Sequence, residues 1–137
     1  MATKQFFTGM TGVFLVAAEL SQRDFIVSPT SRGASGADLL VTDKLCKQAF
    51  SVQVKTNAKV FGYWLINKNA KDTVSPTHIY VLVNLRKNGE KEYFVVPSKD
   101  ISKKMAIDKS SQSEWPYFNY PDAEPYKNGW QIFRSSY

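Results

Sequence analysis

The chain has 137 residues, of which 43% are hydrophobic, 14% aromatic and 22% charged, a composition typical of a folded protein. Cys46 is the only cysteine and His78 the only histidine, which excludes an intrachain disulfide and any metal site built from several such side chains. The net charge of +6 favours a polyanionic partner only weakly, because the lysines are spread along the chain. We expect one domain over residues 1–137 in the reducing cytoplasm.

The N-terminal region is predicted to be a helix from about Thr11 to Arg23, with Thr11 as its N-cap and apolar residues at helical spacing on one side. Lys4 followed by an apolar run superficially suggests a signal peptide. However, the uninterrupted apolar part covers only residues 13–18, and Glu19 follows directly. We therefore expect neither secretion nor a membrane span, since a span needs about 20 apolar residues.

A series of strands is predicted after this helix. The stretch at 31–37 is a loop rich in glycine and serine, and 87–90 is a hairpin turn signal. The predicted strands are DFIVSPT (24–30), DLLVTD (38–43), AFSVQVKT (49–56), FGYWLIN (61–67), THIYVLVNLR (77–86) and KEYFVVP (91–97). The fifth has an uninterrupted apolar centre, which is typical of a strand covered on both faces.

The C-terminal part is predicted to begin with a helix in SKDISKKMA, capped by Ser98. An aromatic-rich tail over residues 115–137 is expected to be irregular, with a short final helix or strand. Its rings have two interpretations, stacking on unpaired bases or packing over the sheet, and packing is the commoner one. The order of elements predicts an α/β or α+β sandwich around one central sheet.

Three segments carry polar residues that invite a functional interpretation. In SVQVKT (51–56), Gln53 and Lys55 lie on one side of the strand and the valines on the other. Asp38 opens the preceding strand, and Glu19 closes the apolar part of the helix. Each has an ordinary explanation: a solvent-exposed strand face, a turn residue, and the boundary of a buried helix face.

Together these residues suggest a metal site. If the two strands pair as a hairpin, Asp38 can lie beside Gln53, and a helix packed at that end would add Glu19. Two carboxylates and an amide oxygen suit a hard divalent cation such as Mg²⁺. The Lys55 ammonium could hold an attacking water and stabilise charge that builds on a phosphate.

The order of a helix glutamate, GAD opening a strand and QVK in the next strand resembles the PD-(D/E)xK nuclease superfamily. The resemblance covers residues 12–56 well and is nearest to small Holliday-junction resolvases. It implies a restriction-endonuclease-like α/β sandwich, with a central mixed sheet flanked by helices. Asp38 matches the metal-binding aspartate, Lys55 the lysine and Glu19 the helix glutamate. Gln53 stands where the family has an acid, which keeps an oxygen ligand but removes a negative charge.

The resemblance implies a metal-dependent endonuclease that hydrolyses phosphodiester bonds in DNA, with Mg²⁺ or Mn²⁺ as cofactor. Asp38, Gln53 and the Val54 carbonyl would bind the metal, Glu19 a second metal or a metal-bound water, and Lys55 would position the nucleophile. One site per chain would favour a homodimer for cutting both strands.

Other interpretations remain open at this stage. Arg32 and Lys59 are candidates for phosphate contacts, with solvated surface charge as the ordinary alternative. The Gln53 departure also fits a catalytically inactive nuclease-fold module that binds DNA or assembles a defence, repair or mobile-element complex. An RNA-cleaving toxin or an unrelated small α/β protein is a third interpretation.

Overall fold

The structure, a computed structural model, describes residues 2–31, 36–86, 88–110 and 114–134. The helices are α1 (Lys4–Gln22), α2 (Ser98–Lys104) and α3 (Tyr120–Ala123), followed by two 3-10 helices, Glu124–Tyr126 and Trp130–Arg134. The strands are β1 (Phe25–Pro29), β2 (Leu39–Asp43), β3 (Ala49–Asn57), β4 (Tyr63–Leu65), β5 (His78–Leu85), β6 (Lys91–Pro97), β7 (Ala106–Asp108) and β8 (Trp115–Asn119).

Helix α1 begins earlier than the sequence predicts. Its N-cap is Thr3, whose hydroxyl accepts a hydrogen bond from the Phe6 amide at 3.2 Å. Thr11 lies inside the helix and donates to the Phe7 carbonyl at 2.8 Å, so the predicted cap was wrong. The apolar spacing that begins at residue 13 marks where the helix becomes buried, whereas no residue of its first two turns is buried and that signal is missing there.

Five strands form the main sheet, in the order β1-β2-β3-β5-β6. The β3–β5 pair is parallel and the other neighbours are antiparallel. All residues of β5 except the last are buried, as its apolar run predicted. The fold is thus mixed α/β with a central mixed sheet flanked by helices, which confirms the predicted class. A second sheet of three short strands has the order β4-β8-β7.

The two faces of the main sheet are covered differently. On the helix face, Val16 and Leu20 of α1 pack in one core with Val52 and Val54 of β3. On the opposite face, which we call the small-sheet face, a second core joins strands β5 and β6 to residues of the three-stranded sheet. Side chains alternate along a strand. Gln53, which lies between these two valines, and Lys55, which follows the second, therefore point to the small-sheet face.

The C-terminal region differs from the sequence prediction in two details. Ser98 is the first residue of α2 rather than its cap, and its hydroxyl accepts from the Ser75 amide at 3.0 Å and donates to the Ser75 carbonyl at 2.9 Å. The tail contains a full strand, β8, as well as short helices. Phe118 and Phe133 are completely buried and Trp130 nearly so, which confirms packing for these rings. In the part of the chain that is described, no helix is long and apolar enough to cross a membrane.

Candidate active site

Asp38 and Gln53 meet at the start of the β2–β3 hairpin. Leu39 of β2 pairs with Val52 of β3. In this antiparallel register, Asp38, which directly precedes β2, lies beside Gln53, the next residue of β3. The Gln53 amide nitrogen donates to Asp38 Oδ2 at 2.9 Å, and the Val54 backbone amide donates to the same oxygen at 2.8 Å. The predicted contact between Asp38 and Gln53 is therefore confirmed.

Lys55 lies two residues further along β3 and points to the same face as Gln53. The register of the parallel pair shows this, because Gln53 is opposite Tyr80 and Lys55 is opposite Leu82, both of which belong to the core on the small-sheet face. The Lys55 ammonium donates to the Asn67 side-chain oxygen at 2.5 Å. Asn67 follows strand β4, so the second sheet supplies the partner that orients this ammonium.

Burial shifts the pKa values of the two ionisable groups towards their neutral forms. It raises the pKa of the Asp38 carboxyl above its ordinary value, although the Val54 amide and the Lys55 ammonium act in the opposite direction. It also lowers the pKa of the Lys55 ammonium, and the nearby Asp38 charge only partly offsets this effect. A carboxylate and an amine with pKa values displaced towards each other are typical of sites where charge is used in chemistry.

Glu19 does not join this group, contrary to the expectation from the sequence. Its carboxylate forms an ion pair with Arg23 at 2.6 Å, one turn further along α1. The Arg23 guanidinium lies 4.8 Å from the ring centre of Trp130, in the core that α1 shares with the sheet. Glu19 is therefore on the helix face, with the sheet between it and Lys55. Helical spacing alone did not determine which face of the sheet α1 covers.

Of the two residues predicted to contact phosphate, Lys59 and Arg32, the structure describes only Lys59. Lys59 is exposed just beyond β3, with its ammonium 5.4 Å from the ring centre of Phe61. Arg32 lies outside the described residues. The role of either residue in binding nucleic acid stays a prediction.

Two contacts around the group, between Lys55 and Asn67 and between Ser51 and His78, could not be predicted from the sequence. Asn67 follows a short aromatic strand and has no motif around it, so only the three-dimensional contact with Lys55 identifies it. Ser51 and His78 form a register pair on the same face, with Ser51 Oγ 2.7 Å from His78 Nδ1. Burial lowers the pKa of His78. The alternation that places Gln53 and Lys55 on one face also places Ser51 there, so only its contact with His78 depends on the pairing with β5.

Glu92 is a buried carboxylate on this face, and it is fully engaged in other contacts. It accepts hydrogen bonds from Asn84, Tyr120 and Lys127 and forms an ion pair with Arg86. Burial acts to raise the pKa of Glu92, but these donors outweigh it and hold the pKa below its ordinary value. Such a carboxylate joins β5, β6 and the tail and offers no free oxygen for catalysis.

The oxygen donors of this site suit a divalent cation, although only one of the protein ligands, the Asp38 carboxylate, is charged. Within the described ranges, no three or more His, Cys, Asp or Glu side chains are grouped as a metal site requires. Asp38 provides one carboxylate, and in the described part of the chain its Oδ1 accepts no hydrogen bond. Gln53 and the Val54 carbonyl add neutral oxygens. Mg²⁺ is commonly held by one or two protein carboxylates, with waters and substrate phosphate completing its coordination.

Comparison with known protein structures identifies the fold that carries this site. Neither a scan of protein-family models nor a search of curated proteins finds a match. A bacterial homing endonuclease has a TM-score of 0.60 at 16% identity, with 98% of this chain and 94% of that chain covered. The Holliday junction resolvase Hjc from Archaeoglobus fulgidus has a TM-score of 0.54 at 9% identity, covering 85% and 93%.

A nuclease from a fusselovirus gives a TM-score of 0.54 at 13% identity, with 89% of this chain and 87% of that chain covered. At such low identities, the likeness concerns the fold. The contact between Asp38 and Gln53, with Lys55 on the same face, lies within the segment that carried the resemblance in the sequence. The chain has the restriction-endonuclease-like fold of the PD-(D/E)xK nucleases.

Proposed function

We propose that the protein is a metal-dependent endonuclease that hydrolyses phosphodiester bonds in DNA. One observation carries the proposal: Asp38, Gln53 and Lys55 occupy one face of the β2–β3 hairpin, with the Asp38 carboxylate held by two hydrogen bonds. The similarity to a homing endonuclease, a junction resolvase and a viral nuclease supports the same reaction class.

Asp38, Gln53 and the Val54 carbonyl are the residues that would hold Mg²⁺ or Mn²⁺. Gln53 now directs its amide nitrogen at Asp38, so a half-turn of the amide group would bring its oxygen forward instead. A bound divalent cation supplies Lewis-acid polarisation of the phosphate and a more acidic water. Because Asp38 and Lys55 carry opposite charges, their sum is about zero, and we expect tight metal binding only when substrate phosphate adds negative charge.

Lys55 would stabilise the negative charge that develops on the phosphate and orient the attacking water. Its ammonium is held by Asn67, which limits the side chain to one direction before the substrate arrives. An oriented donor of this kind needs little reorganisation during the reaction, which is the main source of electrostatic catalysis. Asn67 acts through Lys55 and is a positioning residue.

The test is cleavage of a panel of linear, branched and single-stranded DNA with Mg²⁺ or Mn²⁺. We expect Asp38→Asn and Lys55→Ala to reduce cutting by at least about a hundredfold, a typical effect of removing one electrostatic group. Lys103→Ala removes an exposed lysine of α2 and serves as the control with the same charge change. Cutting by both site variants at the wild-type rate would overturn the proposal.

A second function deserves a test because Gln53 replaces an acid and Glu19 lies on the other side of the sheet. With no net negative charge, the same fold could serve as a DNA-binding or assembly module that does not cut. Under this alternative, the wild-type protein binds DNA but leaves every substrate of the panel intact with both metals. Sedimentation of the purified protein with and without DNA would measure whether it acts as the expected homodimer.

The cytoplasm is the compartment we propose for this protein. Cys46 is exposed and unpaired, and such a thiol is most compatible with reducing conditions.

A further inference from the structure

The three-stranded sheet presents an aromatic surface to solvent. Its inner side chains, such as Trp64 and Phe118, are buried, and the residues that alternate with them point outward. We call the outward group the aromatic platform; it consists of Tyr63, Leu65, Trp115 and Tyr117, together with the adjacent Phe61. Tyr63 and Tyr117 meet edge to face, with ring centres 5.6 Å apart.

The platform forms one continuous surface with the end of strand β3. Tyr63, Leu65, Trp115 and Tyr117 line an open pocket of about 580 Å³. A second pocket of about 510 Å³ shares Tyr63 and Leu65 and continues to Phe61 and to the end of β3, where Thr56 and Asn57 directly follow Lys55. A chain lying along the platform would therefore reach the strand that carries the candidate active site.

Lysines lie beside the rings of this surface. The Lys68 ammonium is 5.0 Å from the ring centre of Trp115, and the Lys59 ammonium is 5.4 Å from that of Phe61. Lys4 lines the second pocket. A nucleotide combines a flat aromatic base with an anionic phosphate a few ångströms away, and rings next to ammonium groups match both parts.

Among the described residues that line the two pockets, Asp108 is the one acidic side chain. It lies opposite Trp115 in the register of β7 and β8, and the Ser110 amide and hydroxyl donate to it at 2.9 and 2.5 Å. These hydrogen bonds lower the pKa of Asp108, so it stays anionic at neutral pH. A phosphate would avoid this point, whereas the amino group of a base could donate to it.

We propose that the aromatic platform binds unpaired bases, and hence that the nuclease substrate carries a single-stranded segment beside the bond to be cut. This inference rests on the proposed function for its substrate. A second copy of the chain is the less favoured occupant, because self-association across this face would bring the lysines of both copies together. Duplex DNA is also less favoured, since paired bases do not expose their faces for stacking.

The first experiment measures binding of a single-stranded dT oligomer of 12 nucleotides in the presence of EDTA, so that no cleavage is needed. Trp115 is 40% exposed, whereas Trp64 and Trp130 are 1% and 6% exposed. Stacking should therefore quench the fluorescence of Trp115 alone. We expect Trp115→Phe to remove the quenching but to keep the affinity, because a ring remains for stacking.

Loss of a ring should weaken binding. Tyr63→Ala and Trp115→Ala are each expected to reduce affinity for the dT oligomer roughly tenfold, within the usual range for one stacked base. Phe14→Ala removes an exposed ring of α1 and should leave affinity unchanged. Lys68→Gln keeps all the rings and should reduce the slope of log affinity against log salt by about 0.7.

Two results would overturn the inference. The first is unchanged affinity for the dT oligomer in Tyr63→Ala and Trp115→Ala. The second is sedimentation showing that these changes convert a dimer into monomers without altering the affinity per chain, which would assign the platform to a second copy.

The cleavage test of Lys55→Ala separates this inference from the proposed function. Platform-dependent binding without any cutting would refute only the nuclease. Cutting that depends on Lys55, with binding that ignores the platform, would refute only the single-strand site.

Discussion

Gln53→Glu tests whether Asp38 and Gln53 form a metal site. Gln53 is 8% exposed, and its amide nitrogen is 2.9 Å from Asp38 Oδ2. The change replaces a donor with a second carboxylate of the same shape. Two negative charges about 4 Å apart repel by about 4 kcal/mol at an effective dielectric constant of about 20. Without metal, the pair avoids this cost by retaining a proton, which raises one of its two pKa values.

The sign of the stability change follows from this retained proton. Since the folded-state pKa is raised, the metal-free variant is least affected below about pH 4 and loses stability as pH rises through the raised value. A rise of about two units costs about 2.7 kcal/mol at pH 8. For a chain of this length, that lowers Tm by about 10 °C. Thermal unfolding in EDTA at pH 5 and pH 8 measures the effect.

Metal binding should change in the opposite direction. We expect the Gln53→Glu variant to bind Mn²⁺ at least about tenfold more tightly than the natural protein in the absence of DNA, a gain of about 1.4 kcal/mol. Mn²⁺ should also restore the Tm that was lost at pH 8. Calorimetric titration of both forms measures the affinity, and Gln131→Glu adds the same charge at an exposed position as a control.

Equal Mn²⁺ affinities for the two forms would refute a metal site at Asp38 and Gln53. A metal-free Tm of the variant that drops no further at pH 8 than at pH 5 would refute the charge repulsion between the two carboxylates.

Three further predictions concern single contacts. Asn67→Ala removes the acceptor of the Lys55 ammonium, so the pKa of that ammonium should fall and the alkaline limb of the pH–rate profile should move to lower pH. Asn67→Asp should move that limb to higher pH. Identical profiles for the natural protein and both variants would exclude a positioning role for Asn67. Gly12→Ala would place a Cβ in steric conflict with Thr56 Oγ1 and should cost about 1–3 kcal/mol in urea unfolding. Thr56→Ala should recover part of this loss, and simple addition of the two single effects would contradict the contact. Lys59→Gln should weaken binding to all DNA sequences alike and reduce the salt slope by about one unit; an unchanged slope would make Lys59 ordinary surface charge.

The sequence predicted the main sheet well because its strands carry strong local signals. The apolar centre of β5 follows directly from burial on two faces, and the alternation in β3 follows from packing of its valines in the core against α1. The sequence predicted that Asp38 can lie beside Gln53 if β2 and β3 pair as a hairpin, and the observed register fulfils this condition. A one-residue shift in register would have exposed the valines.

The parts that could not be predicted depend on contacts between distant segments. Glu19 and Lys55 are each placed correctly within a helix and a strand, but no local pattern states which face of the sheet the helix covers. Asn67 becomes relevant only because β4 packs against the main sheet, where the Trp64 indole donates to the Val83 carbonyl at 3.0 Å. The small strand β7 was missed because its three residues are too few for an alternating pattern.

The pairing of β4 with β8 also sets the order in which the site can assemble. The hairpin that joins Asp38 to Gln53 is formed by neighbouring strands and can close early, whereas Leu65 pairs with Tyr117, which lies far downstream in the sequence. Contacts between residues so far apart in sequence generally form late in folding. A chain still emerging from the ribosome would thus hold the carboxylate in place while Lys55 remains unanchored. The proposed nuclease would gain its full arrangement only after strand β8 has been synthesised and has paired with β4.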